Sequence, residues 1–235
     1  MSRRDIVKTA FIRSLPILCS YLFLGIAYGI LMEEAGLPWF WTLTTSLTVY
    51  TGAFQFVLIS LLSSGASLAT VALTAFLINS RQTFYALSYV EDFSKMGRRQ
   101  VFMIHTLTDE TYAVNGTLTQ PDEDRRRIMF VLAVLCYLYW AAAGVIGGIL
   151  GQLIPWDMTG IDFCMTALFI IIFIDHWEKN PRHFPAIAGA VIAVICLLIF
   201  GAGSFMLPAL LMTSAALLIW DSVRQRRDEA SEEMP

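Results

Sequence analysis

Residues 128–150 read IMFVLAVLCYLYWAAAGVIGGIL, an apolar run that contains no charged side chain. Because a helix needs about 20 apolar residues to cross the hydrocarbon core of a bilayer, this run predicts a membrane span. The composition agrees, since 57% of the 235 residues are hydrophobic and only 15% are charged, against about 25% in soluble domains. Most soluble enzymes and a disordered chain are therefore excluded. The net charge of −3, without a long basic run, also argues against a nucleic-acid binder.

Further apolar segments accompany this run. They cover about residues 14–32, 39–62, 66–90, 101–119, 158–176, 184–200 and 203–220. The predicted fold class is an all-α polytopic membrane protein with about eight hydrophobic segments, forming one integral membrane domain over residues 1–235. Residues 221–235 form a polar tail, which we expect in the cytoplasm.

The distribution of Lys and Arg predicts the orientation in the membrane. These residues cluster at 1–13, 120–127, 177–183 and 224–227. Both termini are therefore expected in the cytoplasm. One segment conflicts with an eight-span count, because 91–100 carries three basic residues yet falls on the outer side. Either the chain has eight spans, or two segments between 39 and 119 are re-entrant, and the sequence leaves both open.

A faint internal repeat divides the chain. GIAYGIL at 25–31 is followed by Pro38-Trp39, and GVIGGIL at 144–150 is followed by Pro155-Trp156. Each copy opens a four-segment half, 14–119 or 128–220. Many transporters are built from duplicated halves, with the substrate site between them. Four true spans per half predict parallel halves, one re-entrant segment predicts inverted halves, and a chance match also remains open.

Polar residues interrupt the first half, where they are costly inside a membrane. The first cluster is Thr48–Phe56, in which Tyr50 and Gln55 can donate hydrogen bonds and Gly52 lies in the middle of the segment. A helix broken here would expose backbone carbonyl and amide groups to a cavity. Lipid alone would not permit this, because it cannot hydrogen-bond those groups. The alternative is a continuous helix in which Gly52 is a packing notch.

The second cluster is Asn79-Ser80-Arg81-Gln82-Thr83, followed by Tyr85. Asn and Ser are good N-cap residues, so a helix break at 79–81 is expected. A helix N-terminus together with Arg81 would form a good carboxylate site. The alternative is that the span ends near Ile78 and that Arg81 lies at the membrane interface.

The third cluster is His105–Tyr112. On one helix, His105 and Asp109 are four residues apart and share a face, while Glu110 points about 100° away. These groups could carry a proton or hold an ammonium group, and Asp109 is the simplest partner for Arg81. A metal site is not expected, because only His105 and Asp109 share a face. The alternative is a solvated amphipathic helix at the cytoplasmic surface.

These clusters carry a family resemblance. Its motifs are Leu15-Pro16, Tyr50-Thr51-Gly52-Ala53-Phe54-Gln55-Phe56, Asn79-Ser80-Arg81 with Tyr85, and Leu107-Thr108-Asp109-Glu110. Over nearly its whole length the chain resembles the AzlC/YgaZ family, the large subunit of bacterial branched-chain amino acid exporters. The family often has Asp where this chain has Asn79, and Ser where it has Phe54.

The resemblance implies a subunit that exports valine, leucine and isoleucine, with methionine as a further candidate, across the bacterial inner membrane. It also implies proton exchange as the driving force and a small AzlD/YgaH-like membrane subunit as partner, and no cofactor is expected. The substrate-binding candidates are Tyr50, Gly52, Gln55, Asn79, Arg81 and Tyr85. The candidates for proton or ammonium coupling are Asp109, Glu110 and His105. A channel or permease subunit for another small solute and a non-transporting membrane scaffold stay open as alternatives, whereas an enzyme is not expected.

Overall fold

The computed structural model describes residues 1–153, 183–201 and 208–220, the isolated positions 166, 170, 173, 174, 177, 178 and 205, and of Arg81 only the backbone. The helices are α1 (Arg3–Glu34), α2 (Trp39–Thr48), α3 (Gly52–Ser63), α4 (Leu68–Ser88), α5 (Val90–Ser94), α6 (Arg99–His105), α7 (Asp109–Gly116), α8 (Asp122–Leu153), α9 (Phe184–Phe200) and α10 (Pro208–Trp220). These helices confirm the all-α fold class. Most of the predicted segment 158–176, the second Pro-Trp pair and the tail 221–235 lie outside the described residues.

The chain divides into two compact units. The first comprises Met1–Ser63 and Ile78–Thr166, and it contains every candidate site residue. The second comprises Ser64–Leu77 and Ala167–Pro235. Within the second unit, the rings of Phe184 and Trp220 stack with centroids 5.0 Å apart, so α9 and α10 pack against each other.

Two helices of the first unit, α1 and α8, are long and apolar enough to cross a membrane. Each has 32 residues, and they run parallel. At one end the Met1 ammonium group lies 2.8 Å from Asp124 Oδ2. At the other end the Gln152 side-chain amide donates to Glu33 Oε2 at 3.0 Å. The beginnings of the two helices therefore lie together, and so do their ends.

Glycines bring the α1 and α8 backbones into contact. A Cβ atom on Gly29 would lie 2.5 Å from the backbone nitrogen of Gly148, and one on Gly147 would lie 2.8 Å from the backbone of Ile26. No larger residue fits at either position without moving a helix, in keeping with the small-residue interfaces of membrane helices. The two copies of the sequence repeat thus lie side by side and point the same way, which excludes the inverted arrangement for this helix pair.

α6 follows α8 in the same direction. The Phe102 ring contacts the rings of Phe130 and Tyr137, with centroids 5.9 and 5.5 Å apart. His105, the last residue of α6, lies beside Tyr137 with ring centroids 6.2 Å apart. α6 therefore extends from the first turns of α8 to its middle.

α7 returns along α1 in the opposite direction. Just before α7, the Thr108 hydroxyl lies 3.0 Å from the Tyr21 hydroxyl. Just after it, the Thr117 hydroxyl accepts from the Arg13 guanidinium at 3.3 Å. Because α1 and α8 are parallel, α6 and α7 run antiparallel to each other. Residues 99–116 thus form a hairpin that enters and leaves at the same end.

Ion pairs identify that end. Both carboxylate oxygens of Asp92 accept from Arg125 Nη2, at 2.8 and 2.9 Å. Arg125 lies in the first turn of α8, next to Asp124, which binds the Met1 ammonium group. The segment 91–100 therefore lies at the same end as the N-terminus.

This arrangement decides between the two predicted topologies of the first half. The eight-span count, which places 91–100 at the end opposite the N-terminus, is wrong. The predicted span 101–119 is a re-entrant hairpin, and the predicted span 39–62 consists of two helices of 10 and 12 residues. Each of these helices is too short to cross a bilayer alone, because a spanning helix needs about 20 residues.

The second polar cluster does not interrupt its helix. α4 continues from Leu68 to Ser88 through Asn79, Ser80 and Arg81. The predicted break at 79–81 is therefore wrong, while the alternative in which the membrane span ends near Ile78 and Arg81 lies at the interface stays a prediction. The physical reason is that no Gly or Pro lies in 68–88, so every residue can continue the helical hydrogen bonds, and the N-cap preference of Asn and Ser is too weak to stop them.

Candidate functional site

The polar side chains of the first unit meet near the middle of the two long helices. Tyr21 lies near the middle of α1, and Tyr137 and Trp140 lie near the middle of α8. At 1.5 Å per residue, these positions are about 20 to 27 Å from the helix ends. The first break described below contacts Tyr137 and Trp140, and the second contacts Tyr21 and Tyr137.

The first break separates α2 from α3. Tyr50, between the two helices, has φ +44°, and it is the one non-glycine residue with positive φ among those that the structure describes. Its side chain is only 2% exposed. The predicted break in this cluster is confirmed, and the continuous helix is wrong. Gly52 begins α3 against the ring of Trp140, since a Cβ there would lie 3.4 Å from it.

Side chains from other helices contact a backbone carbonyl oxygen that is left without its helical partner at the end of α2. The Leu47 carbonyl oxygen accepts from the Tyr137 hydroxyl at 2.6 Å, and His105 Nε2 lies 3.3 Å from the same oxygen. The Tyr50 ring packs against both partners, with centroids 4.9 Å from Tyr137 and 6.1 Å from His105. His105 thus caps a helix end and joins the tip of the α6–α7 hairpin to the first break.

The second break separates α6 from α7. Thr108 caps α7, because its hydroxyl accepts from the Thr111 amide at 3.4 Å while its own amide donates to the Thr111 hydroxyl at 2.8 Å. The prediction that His105 and Asp109 share a helix face is wrong, since that spacing holds only within one continuous helix. The alternative of a solvated surface helix is also wrong, because Thr108 and Thr111 are buried.

Glu110 lies in the first turn of α7, where the helix dipole favours a negative charge. The Tyr21 hydroxyl donates to Glu110 Oε2 at 3.0 Å and also lies 3.0 Å from the Thr108 hydroxyl. Tyr21 is 4% exposed, so this contact is shielded from solvent. Asp109, the first residue of α7, is half-buried. A buried tyrosine therefore connects α1 to the acidic end of the hairpin.

Gln55 belongs to a neighbouring group around Trp140. Its side-chain oxygen accepts from the indole nitrogen of Trp140 at 3.0 Å, and the Gln55 side chain is fully buried. The indole also contacts the rings of Tyr21 and Tyr28, at centroid distances of 5.3 and 5.9 Å. Tyr28 in turn hydrogen-bonds the Thr45 hydroxyl at 2.7 Å. Trp140 of α8 thus contacts α1 and α3 directly, and Tyr28 of α1 extends the group to α2.

The remaining predicted binding residues lie on α4. Tyr85 stacks on Tyr112 of α7 with centroids 4.5 Å apart, and Tyr89 donates to the Tyr112 carbonyl oxygen at 3.0 Å. Asn79 is half-buried. The side chain of Arg81 lies outside the described residues, so its pairing with Asp109 stays a prediction. The structure therefore brings Tyr50 together with His105 and Gln55 together with Trp140, and it places Tyr85 in an aromatic group around Tyr112.

Several residues of the site were not predicted from the sequence. They are Tyr21, Tyr28, Thr45, Tyr137 and Trp140. Hydropathy counts Tyr and Trp as apolar inside a span, although each carries a polar atom that needs a partner when buried. Their positions in the middle of the long apolar runs were the available signal. Among the described residues, no group of three or more His, Cys, Asp and Glu is placed to hold a metal ion.

Comparisons with known proteins cover this site. Residues 16–154 match the family model described as "AzlC protein". The chain is 33% identical over 213 residues to the branched-chain amino acid transport protein AzlC of Bacillus subtilis (strain 168), covering 90% of this chain and 84% of that protein. It is 38% identical over 215 residues to an uncharacterized membrane protein of Helicobacter pylori (strain ATCC 700392 / 26695), covering 91% and 94%. It is 27% identical over 178 residues to the inner membrane protein YgaZ of Escherichia coli (strain K12), covering 71% of each. No solved structure matches.

Proposed function

Since this chain belongs to the AzlC family, we propose that it is a secondary transporter subunit that exports branched-chain amino acids across the bacterial inner membrane. A relative that covers 90% of the chain is named a branched-chain amino acid transport protein. The family match runs from the middle of α1 to the end of α8, and hence includes both helix breaks. Valine, leucine and isoleucine are the proposed substrates, with methionine as a further candidate.

The observation that carries the proposal is the meeting of two broken helices at the middle of α1 and α8. Transporters commonly bind substrates near the bilayer midplane, at discontinuous helices whose ends face the substrate. Non-helical backbone is tolerated at that depth only where it is buried in protein or lines a water-filled cavity. Here the break at Tyr50 and the break before Asp109 are linked through His105, and both are far from the helix ends.

The proposal assigns a role to each candidate residue. Arg81 binds the substrate carboxylate, and the acidic first turn of α7 meets the ammonium group or exchanges a proton. The remaining substrate-binding residues are Tyr50, Gly52, Gln55, Asn79 and Tyr85, and the coupling residues are Asp109, Glu110 and His105. Apolar side chains of the first unit receive the branched side chain of the substrate. Proton exchange drives export, and no cofactor takes part.

Orientation and partner are also part of the proposal. Met1, Lys95 and Arg125 lie at one end of the first unit, and the excess of basic residues there supports a cytoplasmic location. Both termini are proposed to be cytoplasmic. A small AzlD/YgaH-like membrane subunit is proposed as the partner. Many large apolar side chains are exposed, among them Phe23 and Leu198 at 68% and 80%, so lipid or a partner subunit has ample surface to cover.

Leucine export from cells that lack their own branched-chain exporters tests the proposal. The cells are loaded with a leucine-containing dipeptide, and leucine inside and outside is followed with this protein alone, with its small partner, and with neither. Faster release only when both proteins are present is the expected result. Equal retention of leucine in all three, with both proteins confirmed in the membrane, overturns the proposal and leaves a scaffold. Flux that does not saturate or that ignores branched side chains instead indicates a channel.

The carboxylate assignment has its own variant pair. Arg81→Ala is expected to abolish export while the protein stays in the membrane. Arg98→Ala removes an exposed arginine near the start of α6 and is the matched control. Export at the wild-type rate by Arg81→Ala contradicts the role of Arg81.

A further inference from the structure

We infer that Glu110 binds the ammonium group of the transported amino acid and that Tyr21 positions the Glu110 carboxylate. The inference rests on the proposed function, because it assigns one group of the substrate to one carboxylate. The same geometry distinguishes Glu110 from its acidic neighbour, since the Tyr21 hydroxyl donates to Glu110 and not to Asp109.

The first observation is the state of the Glu110 carboxylate. Oε2 accepts from Tyr21 at 3.0 Å, and Oε1 makes no hydrogen bond within the described part of the chain. A carboxylate has two oxygens with about four acceptor positions, so one whole oxygen is available to a ligand. Glu110 lies in the first turn of α7, where backbone amides and the helix dipole favour negative charge. The available oxygen therefore suits a cation that donates hydrogen bonds.

The second observation is the buried hydroxyl of Tyr50. The Tyr50 hydroxyl is buried close to the Tyr21 hydroxyl, and the geometry of that contact falls short of a regular hydrogen bond, as does every other contact of the Tyr50 hydroxyl with the described residues. A buried polar group without a partner is costly, and it commonly marks a position that a ligand fills. An ammonium group has three donors, so it can bind Glu110 Oε1 and Tyr50 together. Tyr50 and Glu110 come from the two different breaks, and one ligand would join them.

Tyr21 is rigidly held, as a positioning residue must be. Its ring meets the Trp140 ring edge to face at 5.3 Å, and its hydroxyl also contacts Thr108, the cap of α7. This single hydroxyl fixes Glu110 relative to the start of its helix. Tyr21→Phe keeps the ring contact and removes only the hydroxyl, which makes it a cleaner test than loss of the whole side chain.

Leucine counterflow in proteoliposomes that contain this protein and its small partner tests the inference. With no pH gradient, counterflow reports substrate binding separately from proton coupling. Tyr21→Phe is expected to raise the half-saturating leucine concentration about tenfold, because a hydrogen bond to a charged group is lost. The compound 2-hydroxyisocaproate, which has a hydroxyl in place of the ammonium group, serves as a competitor. Its half-inhibitory concentration is expected to change less than twofold between the wild type and Tyr21→Phe. Glu110→Gln is expected to act in the same direction and more strongly.

Tyr139→Phe is the matched control. Tyr139 lies on α8 and its hydroxyl contacts Ser14 of α1 at 3.2 Å, so the variant removes a tyrosine hydroxyl contact that does not involve Glu110. Its half-saturating leucine concentration is expected to equal that of the wild type.

Each other result overturns a defined statement. Unchanged leucine affinity in Tyr21→Phe, or equal losses for leucine and the hydroxy acid, overturns the ammonium assignment while the proposed function stands. If Glu110→Gln keeps leucine counterflow and loses pH-driven uptake, Glu110 carries the proton, and the ammonium assignment is overturned as well. Absence of leucine counterflow in the wild type overturns the proposed function, and the inference falls with it.

Discussion

The Tyr137 hydroxyl donates to the Leu47 carbonyl oxygen at 2.6 Å, so α8 supplies the hydrogen bond that α2 loses where it breaks. In a continuous helix this carbonyl would accept from the amide of Thr51, four residues on. That amide belongs to the break, because Tyr50 adopts φ +44° just before it. The break in the first half is therefore held open by a side chain 90 residues away in the sequence.

Tyr137→Phe is expected to destabilise the protein by about 0.6 kcal/mol, the mean for a hydrogen bond between membrane helices. The effect stays small because His105 Nε2 also lies near the carbonyl oxygen. The double variant Tyr137→Phe with His105→Ala is expected to lose more than the sum of the two single variants, since Leu47 then has no side-chain donor. Thermal unfolding of the detergent-solubilised protein measures all three. Additive losses contradict a shared capping role.

Asp92→Asn is expected to destabilise the first unit by about 1–3 kcal/mol, because Arg125 then loses a largely buried ionic partner. Asp92 has a side chain 12% exposed and binds Arg125 at 2.8 Å. Glu91→Gln, the matched control on the same helix, removes an exposed pair with Lys95 and is expected to leave the melting temperature close to that of the wild type.

The control removes a charged group at neutral pH. The hydrogen bond from the Lys95 ammonium group lowers the pKa of Glu91, so its carboxylate is ionised there. Equal melting temperatures for Asp92→Asn and Glu91→Gln contradict the view that Asp92 anchors α5 to α8.

Cysteine labelling checks the re-entrant topology. In a variant that lacks the native cysteines, Ser2→Cys and Lys95→Cys are expected to react with an impermeant maleimide from the same side of the membrane. Ala35→Cys, at the far end of α1, is expected to react from the other side. Labelling of positions 35 and 95 from one side, with position 2 on the other, restores the eight-span topology.

The long helices were predictable because apolar runs report them directly. The run 184–200 coincides with α9, and 128–150 lies within α8. The breaks were harder, because each depends on tertiary contacts. The segment around Tyr50 has no proline. Its unwound backbone is stabilised within the membrane by donors on α8 and α6, which hydrogen-bond the Leu47 carbonyl oxygen. The opposite error occurred in α4, where Asn79 and Ser80 resemble a cap but nothing interrupts the helix.

The site was predictable in its charged and amide residues, and not in its aromatic ones. Glu110 and Gln55 stand out because polar side chains are rare in apolar segments. Their partners Tyr21 and Trp140 do not stand out, since only a buried contact across 89 and 85 residues gives their polar atoms a role. A hydropathy profile contains no information about such pairs.

Gly29→Ala and Gly147→Ala test whether close backbone contact holds the parallel helices together. A methyl group at either position meets backbone atoms of the facing helix, which cannot move aside as a flexible side chain can. Each variant is expected to lose about 1–3 kcal/mol of stability, as overpacked cores do. Gly189→Ala is the matched control, because a methyl group there lies 3.5 Å from a Thr213 side-chain carbon, an ordinary contact. Since alanine favours a helix over glycine by about 1 kcal/mol, the control is expected to melt at the wild-type temperature or slightly above it. Equal melting temperatures for all three variants contradict a tight α1–α8 interface.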